Sequence, residues 1–217
     1  MRPILLALAL TLPLAAAATE EDIGKVNGSV RVEAGQHAGD VSTVNGSVHV
    51  GDGAVVRKAS TVNGSVDLGG KAQAGEVGTV NGAITLGEDS RVQGEVGAVN
   101  GAVRLGRHAE VLGKTSNVNG AIVLDAAHVA GGLGTVSGDI TVGADSRVEG
   151  GILVDKPNGG WLHFGSDRKP HVVIGPHAVV QGTLEFRREV ALEVSDSARI
   201  GPVKGATPVK FSGAAPQ

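Results

Sequence analysis

The 217-residue chain has no cysteine and no tyrosine, and its only aromatic side chains are one tryptophan and three phenylalanines. Without cysteine there is no disulfide framework, no thiolate-held zinc or iron–sulfur site and no thiol nucleophile. Without rings there is little to fill the thick interior of an ordinary domain. Charge of one sign is also missing. The formal net charge is −3, which makes no electrostatic case for nucleic acid. Neither a Gly-x-Ser-x-Gly turn nor a His-Glu-x-x-His motif occurs, so no familiar catalytic constellation is present. A calcium-binding Gly-Gly-x-Gly-x-Asp repeat is absent too.

What the chain does have is glycine, 35 residues of it, and 41% hydrophobic residues. That apolar fraction excludes a disordered tail. The apolar mass is Val, Ala, Leu and Ile, so the interior it predicts is thin.

Residues 1–18 read as a secretory signal peptide. Arg2 is a short basic start, Ile4 to Leu14 an apolar stretch, and Ala15 to Ala18 a small-residue cleavage site near Ala17 or Ala18. The stretch is short for a membrane span. The expected location is periplasmic or secreted, with no transmembrane helix in the mature form. Residues 19–25 are read as an N-terminal cap segment.

A five-residue phrase then recurs. Val26-Asn27-Gly28-Ser29-Val30 returns unchanged at 44 and 62, as Val-Asn-Gly-Ala-Ile/Val at 80, 99 and 118, and in decayed form at 136, with spacings of 18 or 19. A finer period of six runs inside each unit. The first Val, the residue six later (Val32, Val50, Leu68, Leu86, Leu105, Leu124, Val142) and the residue twelve later are apolar in all seven units. This predicts an all-β, three-sided, single-stranded parallel β-helix of 18–19 residues per coil, with those three columns inward. A fourth inward column starts at Val30 and Val48. The two 19-residue units are expected to absorb their extra residue as bulges around Val96–Ala98 and Lys114–Asn117. Glycine density and β-branching exclude helix.

Regular coils are assigned to 26–153, an excursion or irregular coil to 154–171, final coils to 172–203 and a C-terminal tail to 204–217. The corner glycines are Gly28, Gly46, Gly64, Gly82, Gly101, Gly120 and Gly138. Asn-Gly at a corner suggests a turn with positive φ at both residues. Trp161, Phe164, Phe186 and Phe211 all lie late in the chain. They are the candidate cap or interface, because a solenoid must close its open ends.

The sharpest candidate feature is the column Asn27, Asn45, Asn63, Asn81, Asn100 and Asn119. Coil stacking places these amides about 4.8 Å apart, close enough to bond in a ladder. Thr43, Thr61 and Thr79, each two residues before an Asn, are expected to point outward with it, leaving the intervening Val inside. Such a face could hold a repetitive ligand. Asn27, Asn45 and Asn63 also sit in Asn-Gly-Ser sequons, which the turn chemistry already accounts for. His163, His171 and His177, with Asp167 nearby, form the one local histidine group and read as solvated loop residues. No metal, cofactor or catalytic residue is assigned.

The recurring pattern aliphatic-x-aliphatic-Gly-x-x-Ala/Ser-x-Val-x-Gly, at 84–94, 103–113, 140–150 and 172–182, resembles the repeat of the bactofilins, polymer-forming bacterial β-helix proteins. The Val-Asn-Gly phrase is similar to adhesin-like β-strand repeats of bacterial envelopes. The period of six also resembles hexapeptide-repeat acyltransferases and γ-type carbonic anhydrases, which are left-handed. Hand is left open, and the bactofilin resemblance favours a right-handed one. That resemblance implies a scaffold that polymerises and no catalytic residues. The export signal departs from it, since bactofilins work inside the cell. The resulting expectation is a non-enzymatic structural β-solenoid of the bacterial envelope, self-associating into filaments or oligomers. The basic run Arg187-Arg188 and Lys204 to Lys210 would meet the acidic Glu20-Glu21-Asp22 of a neighbour. The alternative is a binding module or adhesin whose flat face recognises glycan or peptidoglycan, an envelope polysaccharide.

Overall fold

The computed structural model describes residues 20–157 and 168–216. The signal segment 1–18, Trp161, His163, Phe164 and Asp167 lie outside the described residues. Every regular element is a β-strand, and all strand pairs are parallel. No helix among the described residues is long and apolar enough to cross a membrane.

Each coil has three faces. The first face is a ten-stranded sheet, from Val30–Val32 through Val48–Val50 to Val209–Phe211. The second and third faces belong to one 16-stranded sheet that turns the corner between them. The second carries two-residue strands such as Arg91–Val92 and the third carries strands such as Val96–Asn100. In the early coils one nine-residue strand, as in Val55–Asn63, runs round that corner unbroken. The sheet divides after Val92, which pairs with Ala74 eighteen residues back, whereas Val96 pairs with Val77 nineteen back. The extra residue therefore enters among Gln93, Gly94 and Glu95, at the corner itself and just ahead of the expected position. One added residue breaks strand continuity without disturbing the stack. The frame returns to eighteen between Leu124 and His128.

The interior is built of short aliphatics, as the lack of rings requires. Val30, Val48, Val66, Ile84, Val103, Ile122 and Ile140 form one buried column, and Val32, Val50, Leu68, Leu86, Leu105, Leu124 and Val142 the next. A side chain of this kind contributes roughly 1.5–3 kcal/mol when fully buried. The second face supplies Ala38, Val56, Ala74, Val92, Val111, Val129 and Val148. The expected position Ala130 gives way to Val129 there, because the shortened turn after Leu124 moves the frame by one residue.

The column made by the first Val of each unit, expected inward, is reversed. Val44, Val62, Val80, Val99 and Val118 are 38–40% exposed, while the Thr or its equivalent just before each is buried. The third face is instead packed by Val41, Ala59, Val77 and Val96, three residues before each exposed Val, and by the threonines. Strand alternation fixes the rest: with 41 and 43 inside, 44 must face out.

The long insertion lies between Val154, at the end of a third-face strand, and Val172 on the first face, so Ile140 pairs with Val172 at a spacing of 32. Beyond it the stack resumes. Phe186 does not lie on an end or a surface. It is 5% exposed and stacks on Val154 inside the bore, in a late coil with room for one ring. The tail is not free of the solenoid. Val203–Lys204 pairs with the strand holding Leu184, and Val209–Phe211 adds a final strand on Glu193–Ser195. Phe211 sits half-buried in that terminal coil.

Candidate functional site: the ladder face

The Asn corner begins with a steric demand. A Cβ added at Gly64, Gly82, Gly101 or Gly138 would lie 1.8–1.9 Å from the carbonyl oxygen of the corner glycine one coil earlier. At Gly46 and Gly120 the same contact would be 2.3 Å. Gly28, in the first coil, has open space and needs glycine for its φ of 96° instead. Close approach of stacked backbones, more than turn type, is what requires glycine here. The asparagines do not have positive φ, so the expected two-residue left-handed turn is not formed.

With the corner pulled tight, the Asn amides stack. Asn45, Asn63, Asn81, Asn100 and Asn119 each donate from Nδ2 to Oδ1 of the Asn one coil earlier, at 2.9–3.0 Å. Ser137 takes the next position and ends the row. Two residues before each Asn, Thr43, Thr61 and Thr79 donate to the carbonyls of Gly28, Gly46 and Gly64 at 2.8–3.0 Å. Those carbonyls are what draw the hydroxyls inside. The expected outward Thr–Asn array is therefore not formed. Asn117 takes the Thr position in its coil, where its Oδ1 and the Thr115 hydroxyl are buried without a protein partner. In Lys25, the equivalent of Thr43 in the first coil, Nζ reaches the Ser29 carbonyl at 3.0 Å.

The outward side of this face has three parallel features. The valines from Val44 to Val118 form a ridge. Ser42, Ser60, Gly78 and Gly97 form a trough beside it. Lys58, Glu76 and Glu95 stand along the far edge, Lys58 and Glu76 paired at 3.1 Å. Beside Val44, Val62 and Val80 they line a shallow, open groove of 520 Å³ running across the coils.

At the opposite corner six non-glycine residues adopt left-handed backbone: Lys71, Asp89, His108, Ala126, Asp145 and His177. Histidines find carboxylates on neighbouring coils: His49 faces Asp67, His108 faces Asp89, and His177 faces Asp145. His128 lies between Glu110 at 3.4 Å and Glu149 at 3.2 Å. Arg147 and then His128, by hydrogen bonding, hold the Glu149 carboxyl below its ordinary range. His171 meets Glu193. Glu88, Asp89 and His108 bring ligand atoms within 4.8 Å of one another, all exposed. A linear reading misses this approach, because Asp89 and His108 stack only through the 19-residue register.

The two ends differ. Glu21 and Asp22 are tied to the second coil, Glu21 through its carbonyl to the Gly39 amide and Asp22 through its carboxylate to the Asp40 amide. Arg57 clasps Asp40 at 2.7 Å and Asp22 at 2.9 Å, and its own pKa is raised first by the hydrogen bond to Asp40. At the other end Arg199, Lys204 and Lys210 are exposed. Ala198, Ile200, Val203 and Ala206 are only partly covered.

These features define a β-solenoid repeat protein of ten coils. No family model, no curated protein and no solved structure matches the chain.

Proposed function

We propose that the protein is a non-enzymatic structural β-solenoid of the bacterial cell envelope, bactofilin-like in build, exported by its N-terminal signal and self-associating end to end. The observation that carries this reading is the pair of terminal coils. Among the described residues, Val30–Val32 pairs on one side only, with Val48–Val50, and Val209–Phe211 pairs on one side only, with Glu193–Ser195. An unpaired strand edge is a template for another strand. The ends also carry opposite charge, Glu20 and Glu21 against Arg199, Lys204 and Lys210. A head-to-tail contact of two unlike ends does not close, so it grows into filaments.

Negative-stain microscopy of the isolated protein at low salt tests this. Filaments about one coil wide are expected, shortened by added salt and by the double substitution Lys204→Glu, Lys210→Glu. A protein that sediments as single particles at high concentration and low salt would overturn the reading.

A further inference from the structure

We infer that the ladder face is a self-association surface on which a second copy packs side by side, its coil axis parallel to the first. Among the described residues the exposed large apolar side chains are eight, and six of them, Val26, Val44, Val62, Val80, Val99 and Val118, form this single ridge. Alongside it the trough is lined by residues with little or no side chain. Gly97 has nothing within 4 Å of where a Cβ would stand, and Gly78 only one atom, at 3.8 Å.

An occupant that touches every coil must repeat at the coil rise, about 4.8 Å. A second copy of this chain has that rise in register over the whole length. A half-turn about an axis parallel to the coils sets the ridge of each copy into the trough of the other, which is a closed two-fold contact. The antiparallel alternative sets ridge on ridge and leaves both troughs empty.

The polar flanks agree with the parallel arrangement. The same rotation brings the partner's Asn ladder against Lys58, Glu76 and Glu95. From Asn45 onward each ladder amide uses one N–H on its neighbour and keeps a second to offer a carboxylate. Lys58 can donate to amide oxygens. The charged edge then meets neutral amides rather than its own like charges. The strip from Lys58 to Asn63, taken over the seven coils from Val26 to Val136, covers about 480 Å² per copy at strand and coil spacings of roughly 3.3 and 4.8 Å. Two copies would bury about 950 Å², close to the roughly 1,000 Å² at which specific interfaces begin. The contact is accordingly reversible.

This inference is independent of end-to-end growth, and sedimentation equilibrium separates the two. The protein as isolated is expected to show a monomer–dimer equilibrium that does not extend to longer species when the ends are blocked by Lys204→Glu, Lys210→Glu. Val80→Lys is expected to weaken the dimer at least tenfold. So is Gly97→Val, which fills the trough and has room in the coil, with an unchanged melting temperature as the control for folding. The register can be read by disulfide formation, because the chain has no cysteine of its own. Ser60→Cys mixed with Val62→Cys should cross-link, and Ser60→Cys mixed with Val118→Cys should not. A protein with blocked ends that stays monomeric at every concentration, a dimer untouched by Gly97→Val, or the reverse cross-linking pattern would overturn the inference.

Discussion

Thr61 donates its hydroxyl to the carbonyl of Gly46, one coil away and 2.8 Å distant. That bond makes Thr61 an interior residue and sends Val62 to the surface. Replacing Thr61 with Val keeps the shape and removes the bond. A loss of about 1 kcal/mol is expected in urea unfolding. Val62→Thr, on the exposed side, should change stability by less than about 0.5 kcal/mol.

The corner glycines should split into two classes. Gly82→Ala places a Cβ 1.9 Å from the Gly64 oxygen, a clash only a backbone shift can relieve. The expected outcome is a loss of about 3 kcal/mol or more, or failure to fold, seen by thermal unfolding followed by circular dichroism. Gly97→Ala, with open space at the same test point, should fold with near-native stability.

Within the amide row, position should set the cost. Asn63 both donates to Asn45 and accepts from Asn81, whereas Asn119 makes only the bond to Asn100. Asn63→Ala is therefore expected to destabilise by about 1 kcal/mol and Asn119→Ala by about half as much in the same urea experiment.

Ala126 holds φ of 45°, a conformation that costs a residue with a Cβ roughly 1–2 kcal/mol. Ala126→Gly should raise the unfolding midpoint. A lower midpoint would mean that the methyl group packs well enough to offset the backbone term.

Glu149 accepts hydrogen bonds from Arg147 and His128, and its carboxyl titrates below the ordinary glutamate range. A depressed acid favours the folded form while it is ionised. Its contribution is present above the unfolded pKa and disappears as pH falls through the folded value. An NMR titration of the Glu149 side chain should show the lowered midpoint, and Arg147→Ala should move it upward.

The architecture was legible because its two signals are steric. The spacing of six and the glycine columns leave only a narrow three-sided stack, and both follow from residues that cannot be exchanged. The parity of one face was not legible. Val44 and Val62 look like core by hydropathy, and Thr43 and Thr61 look like surface. The deciding groups are the carbonyls of Gly28 and Gly46, and a backbone acceptor leaves no mark on the sequence pattern. The strand at Val209–Phe211 was hidden for a related reason. It is exposed on much of its surface as the last layer, so it lacks the buried alternation that marks inner strands. Phe186 misled because a ring is usually read as an exception to a small-residue bore, whereas one late coil accommodates it.

The amide row has a direction. Every Asn points its N–H toward the first coil and its oxygen toward the last. Backbone bonds between coils run both ways, as Gly28 to Asn45 and Gly51 to Val32 illustrate, and their dipoles largely cancel. The side-chain amides do not cancel. They add along the axis as the peptide units of a helix do, with the positive pole at Asn27 and the negative pole at Asn119. Glu20 and Glu21 belong to the first coil, at the same end of the stack as the positive pole, and Arg199, Lys204 and Lys210 lie beyond the negative one. The rod is thus a weak electret, polarised along its length, and an external field or a charged surface would orient it with one end leading.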